Sequence, residues 1–135
     1  MDCCAPPPLG RSVCKYSLNG EHMYVHATAV SAPKERWMLR GVLYDRGVSD
    51  VAVALGDWDG RPVIAMRWNG SDQPGNALGN PQSSGHSTWF VVPDFLSGAL
   101  VSILRACRDG GDVRVNRAEI DDATRLLPSI LGRAT

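Results

Sequence analysis

Val51-Ala52-Val53-Ala54-Leu55-Gly56-Asp57-Trp58, then Asp59-Gly60, then Arg61-Pro62-Val63-Ile64-Ala65-Met66-Arg67-Trp68 is the stretch that decides the fold. Two apolar runs flank an Asp-Gly dipeptide. Asp-Gly favours a type I′ turn, because glycine and, less readily, aspartate accept the positive φ that both central residues need. Val51, Val53 and Leu55 fall on one side of a strand. On the return, Val63, Ala65 and Arg67 alternate with Ile64, Met66 and Trp68. Both strands are apolar on both sides, as central strands are. Pro62 cannot donate to a ladder but is tolerated at a strand start.

Upstream, Glu35 to Gly47 fits an alternating pattern better than a helical one. Trp37, Leu39, Gly41 and Leu43 share one side, and Arg36, Met38, Arg40, Val42 and Tyr44 the other. A helix from Ser31 to Gly47 stays open, since both ends carry cap residues. Before that, Val13–Leu18, Asn19-Gly20 and Glu21–Val30 read as a further hairpin, with His22 and His26 on its polar side. Along a strand these histidines would be ~13 Å apart, too far to share a metal ion, so they are expected at the surface. Residues 1–11, with Pro6-Pro7-Pro8, read as a flexible arm. Residues 12–135 read as one domain.

Downstream comes a long connection, Gly70 to Ser87, rich in Gly, Pro, Asn and Ser. Connections of that length inside a compact domain are uncommon and usually functional or disordered. Ser87–Val92 reads as a strand ended by Pro93. Asp94 is the expected cap of a helix whose stripe is Phe95, Leu96, Ala99, Leu100, Ile103, Leu104 and Cys107. Val113–Val115 reads as a very short strand. Asn116 and Glu119 suggest a capping box for a last helix, which Pro128 should kink or restart. The expected fold is α+β: an antiparallel sheet of five to six strands with two C-terminal helices packed on one face.

The composition restricts function more than it defines it. The 135 residues carry equal numbers of acidic and basic side chains, so the net charge is zero. A neutral chain makes no strong case for nucleic acid or an anionic membrane. No apolar run nears the ~20 residues of a membrane helix, and the N-terminus lacks the pattern of a secretory signal. A cytoplasmic location with reduced cysteines is expected. Cys3, Cys4 and Cys14, even with His22 or His26, match no structural zinc spacing, so no metal and no cofactor are expected.

No catalytic constellation stands out. His86 lies near Ser83, Ser84, Ser87 and Thr88, but there is no Gly-x-Ser-x-Gly elbow. The glycines of the long connection lack the Lys-Ser or Lys-Thr of a phosphate loop. Asp57/Asp59 frame a turn and Asp121/Asp122 sit early in a helix, both ordinary structural places. Four tryptophans interleaved with Arg36, Arg40, Arg61 and Arg67 are more suggestive, since Trp and Arg dominate binding hot spots. Trp37, Trp68 and Trp89 lie in apolar runs and suit the core. Trp58, beside a turn, suits the surface. Trp89 to Asp94 leading into an apolar helix resembles segments of small bacterial proteins, a likeness confined to those residues and implying no activity.

The reading is a non-enzymatic protein-interaction module, an inhibitor or regulator of bacterial, phage or mobile-element type. Its partner-binding residues would be Arg67, Trp68, Asn69, Asn80, Gln82, His86 and Thr88, with Trp58 extending the patch. One alternative is a nucleic-acid-binding regulator using an Arg/Trp sheet face. A second is a small hydrolase or transferase centred on His86. A homodimer stays open.

Overall fold

The computed structural model describes residues 24–132. The expected arm, the expected hairpin strand at 13–18 with its Asn19-Gly20 turn, His22 and three of the four cysteines lie outside them. The central hairpin forms as its pattern demands. Strands β2 (Val51–Trp58) and β3 (Arg61–Trp68) pair antiparallel in unbroken register from Val51↔Trp68 to Trp58↔Arg61. Asp59 and Gly60 both take positive φ, as the type I′ turn requires. Strand β1 (Trp37–Asp45) pairs with β2 on one side. The two-residue β6 (Phe90–Val91) pairs with β3 on the other, giving the order β1-β2-β3-β6. A separate two-stranded hairpin, β4 (Gln82–Ser83) with β5 (His86–Ser87), lies within the long connection.

Helices α1 (Asp94–Asp109) and α2 (Arg117–Gly132) pack on one face of the sheet. Their core joins Val101, Leu104, Ile120, Ala123 and Ile130 to Val53, Leu55 and Ile64. The α+β plan therefore holds, with four strands in the main sheet and two in the small one rather than five or six in a single sheet. β1 forms as expected but departs from the alternation read for it. Its register slips between Leu39 and Gly41 and again between Val42 and Tyr44. A bulge inserts an unpaired residue and breaks the strict alternation. Adjacent Leu43 and Tyr44 can thus both reach the helix-side core. Residues 24–30 form a bridge at Val25 and a 3-10 turn at Ala27–Ala29, not the expected strand. Val115 bridges Tyr44, but no strand forms at 113–115.

The opposite face is also covered. Val25, Ala27, Val30, Trp37 and Trp89 pack there against Ala52, Ala54, Val63 and Ala65. The strand residues on this side are small because two indoles, 5.9 Å apart, must fit above them. A Cβ on Gly56 would lie 2.2 Å from the Trp37 ring. Trp89 Nε1 donates to the Val30 carbonyl at 2.9 Å and ties the layer together.

Two helix ends differ in kind. Asp94 is the first residue of α1, Pro93 holds the cap position, and no side chain caps it. At α2 the Glu119 N–H donates to Asn116 Oδ1, as an N-cap should. The Glu119 carboxylate lies over Gly41 and leaves no room for a Cβ there. α2 runs through Pro128 as one continuous helix. Among the described residues no helix is long and apolar enough to cross a membrane.

Candidate functional site

The connection from 69 to 89 is an ordered structure with its own fastenings. The Trp68 and Asn80 backbones bridge, closing an eleven-residue loop between them. Inside it, Ser71 N–H donates to the Asn76 carbonyl, and the Ser71 hydroxyl accepts from Asn76 Nδ2 at 2.7 Å. Gly70 is required by closeness alone: a Cβ would lie 2.2 Å from the Asn76 carbonyl oxygen. After Pro81 the chain turns through Ser84 and Gly85, both at positive φ, to make β4 and β5.

Arg67 is the pin of this layer. Strand alternation points it away from the helices, and it is only 2% exposed. Its two terminal nitrogens donate to the carbonyls of Leu78 and Thr88, one from each half of the connection. Its Nε has no partner, and no carboxylate pairs with it among the described residues. Burial pushes its pKa down to about 10, so it remains a cation at neutral pH. Asn69 does the same work at the β1–β2 turn: its Nδ2 donates to Asp45 Oδ1 and to the Gly47 carbonyl at 2.9 and 2.8 Å. Thr88 is buried, and its N–H donates to the Pro81 carbonyl.

Arg67, Asn69 and Thr88 are therefore inward-facing, while Trp68, Asn80, Gln82 and His86 are exposed. Asn80 adjoins Trp68 through the bridge. Gln82 Nε2 donates to the Gly79 carbonyl, and His86 lies past the hairpin turn. Trp58 is not part of this group. The β2–β3 register puts it at the opposite end of the hairpin from Trp68, seven residues or ~23 Å along the strand. There it is half-buried, with Arg36 stacked 4.8 Å from its ring centre.

Trp68 is 58% exposed, against the expectation that it would join the core. Phe90, which the sequence did not single out, is 54% exposed. The Met66↔Phe90 register puts Phe90 on the same side of the sheet as Met66 and Trp68. Met66 packs partly against the helix-side core, and Trp68 and Phe90 stand exposed on its side of the sheet near the β6 edge. Only knowledge that β6 is an edge strand would have revealed Phe90, since its run is apolar on both sides.

Beside the hairpin lies a cleft of about 470 Å³ between residues 29–35 and 83–88, with Val25 and Leu78 also lining it. His26 is outside its lining. Its Nε2 is buried without a partner, its ring stacks on Tyr24 at 4.8 Å, and burial lowers its pKa while Asp45 partly opposes the shift. The Ser87 hydroxyl donates to the Leu78 carbonyl at 2.7 Å. No cluster of three metal-ligating side chains occurs among the described residues.

Two of the four arginines of the Arg/Trp face are matched by carboxylates. Arg36 pairs with Asp59 at 2.6 Å and Arg40 with Asp57 at 3.0 Å. The side-chain hydrogen bond holds Asp59 below the usual carboxylate range and Arg36 above its own. Comparison with protein-family models, characterised proteins and solved structures finds no match.

Proposed function

We propose that the chain is a protein-interaction module that binds its partner through the β6 edge. The contact surface is Trp68 and Phe90, flanked by Asn80, Gln82 and His86. Arg67, Asn69 and Thr88 act from beneath by fixing the backbone that presents them. One observation carries the reading: two large aromatic side chains, each more than half exposed, stand on the same side of paired strands. Met38 on β1 and Phe95, Ile103 and Val113 outside the sheet are exposed as well, but among the described residues Trp68 and Phe90 are the exposed aromatic side chains of the main sheet. Large, rigid aromatics contribute contact area at low entropic cost, which is why they dominate hot spots. The nucleic-acid alternative draws less support, because Asp57 and Asp59 neutralise two of its arginines.

The test starts from capture of the partner from the native cell. The purified partner is then titrated calorimetrically against the full chain and the Trp68→Ala, Phe90→Ala double variant. Hot-spot truncation of two or more kcal/mol corresponds to about a 30-fold rise in Kd. An unchanged Kd with an intact fold rejects the β6-edge surface.

A further inference from the structure

We propose that the cleft beside the β4–β5 hairpin binds a small organic monoanion, a carboxylate carried on a short apolar body. Neither Trp68 nor Phe90 lines the cleft, although His86, counted above at the flank of the contact surface, does. Its volume of about 470 Å³ suits a compact organic molecule. Val25, Val30, Pro33 and Leu78 supply apolar wall, while Ser31, Ser83 and Ser84 bring hydroxyl groups.

The sign of the ligand follows from what stands behind that wall. Leu78 and Thr88 both line the cleft, and both give their carbonyl oxygens to the Arg67 guanidinium. A buried cation therefore sits one peptide group behind the surface, with no carboxylate paired to it among the described residues. Its field is weakly screened, because the intervening medium is protein rather than water. At the rim Lys34 adds a positive charge and Glu35 a negative one, both on exposed residues. The formal sum of Arg67, Lys34 and Glu35 is one positive charge, which a monoanion balances. An inorganic phosphate would exceed that charge and leave the apolar wall uncovered.

The experiment is an amide-resolved NMR titration of the full chain at constant ionic strength. The probes are benzoate and its neutral, isosteric amide, benzamide. Benzoate is expected to give saturable shifts confined to residues 29–35 and 78–88, with benzamide about tenfold weaker. Lys34→Glu, an exposed change, should weaken benzoate by about threefold or more. Ser31→Trp, also at an exposed position, should fill the cleft and abolish the shifts. Equal binding of benzoate and benzamide overturns the proposal. So does absence of saturation, a set of shifts elsewhere on the surface, or full benzoate binding by the Ser31→Trp variant. None of these outcomes bears on the partner titration at Trp68 and Phe90.

Discussion

Replacing Arg67 with Met separates two quantities that a buried arginine normally confounds. Methionine fills much of the same space without charge or donor. The variant loses two charge-assisted hydrogen bonds, to the carbonyls of Leu78 and Thr88. Such bonds are worth about 1.5–3 kcal/mol each, so the gross loss is about 3–6 kcal/mol. Against this stands the relief of a cation buried without a carboxylate. The fall of its pKa to about 10 corresponds to roughly 3 kcal/mol disfavouring the charged form in the fold. The net destabilisation expected is about 0–3 kcal/mol, small for a side chain so completely enclosed. With a urea m-value of about 2 kcal/mol/M, the midpoint should fall by no more than about 1.5 M.

Local stability should respond differently, because the relief is global while the lost bonds lie in one layer. Hydrogen exchange at the Val25, Asn80 and Thr88 amides, which fasten the loop layer, should accelerate. Exchange in β2 should change only by the global amount. A global loss above about 5 kcal/mol would place Arg67 among fully compensated buried ions and contradict the balance above. Unchanged exchange at those three amides would remove its role as the fastening of the loop.

Three further perturbations test other parts of the fold. Asp112 accepts three bonds from Arg114, two from its guanidinium and one from its backbone N–H, and one from Tyr44, and the Arg114 hydrogen bonds hold its pKa well below the usual carboxylate range. Its stabilising contribution is present above the ordinary carboxylate pKa of about 4 and fades as pH falls below it, so Asp112→Asn should lower stability at pH 7 and flatten the acid limb of urea midpoints measured from pH 7 to pH 3. Gly56→Ala puts a methyl into the Trp37 ring and should cost about 1–3 kcal/mol by denaturant titration, with an altered near-ultraviolet dichroism. Ser84 sits at φ +50° in the β4–β5 turn, so Ser84→Asn should leave the hairpin intact and raise stability by up to about 1 kcal/mol in thermal unfolding.

How far the chain could be read depended on whether local pattern or distant packing set each element. The β2–β3 hairpin was legible because alternation and Asp59-Gly60 agree. The helices were legible as elements, but the buried face of α1 is Ser97, Val101 and Leu104 rather than the expected stripe, whose Phe95, Leu96, Ala99 and Ile103 are exposed, and Pro93 rather than Asp94 holds the first cap. Residues 24–30 also alternate, yet they turn, because Ala27 and Val30 must meet the indole of Trp89 from a layer outside the sheet. The bulges in β1 leave no mark in its sequence. In the connection, Ser84-Gly85 was a hairpin signal of the ordinary kind, hidden among other glycines. Arg67 and Asn69 were expected to contact a partner and are buried instead, because a sequence cannot say whether a polar side chain at a strand end points at solvent or at its own loop. Trp68 and Trp89 lie in equally apolar runs. Only strand order shows that one stands by an exposed edge and the other under the loop layer.

The small side chains beneath Trp37 and Trp89 have a consequence for handling the protein. Ala52, Ala54, Gly56 and Ala65 form a flat, apolar, nearly featureless surface once their cover is lifted. Strands of that kind stack readily on their own copies. A protease nick at the exposed Ser83–His86 tip would free one end of the cover. The expected product is then an aggregating sheet rather than a trimmed and stable domain, and limited digestion should yield precipitate before it yields a core fragment.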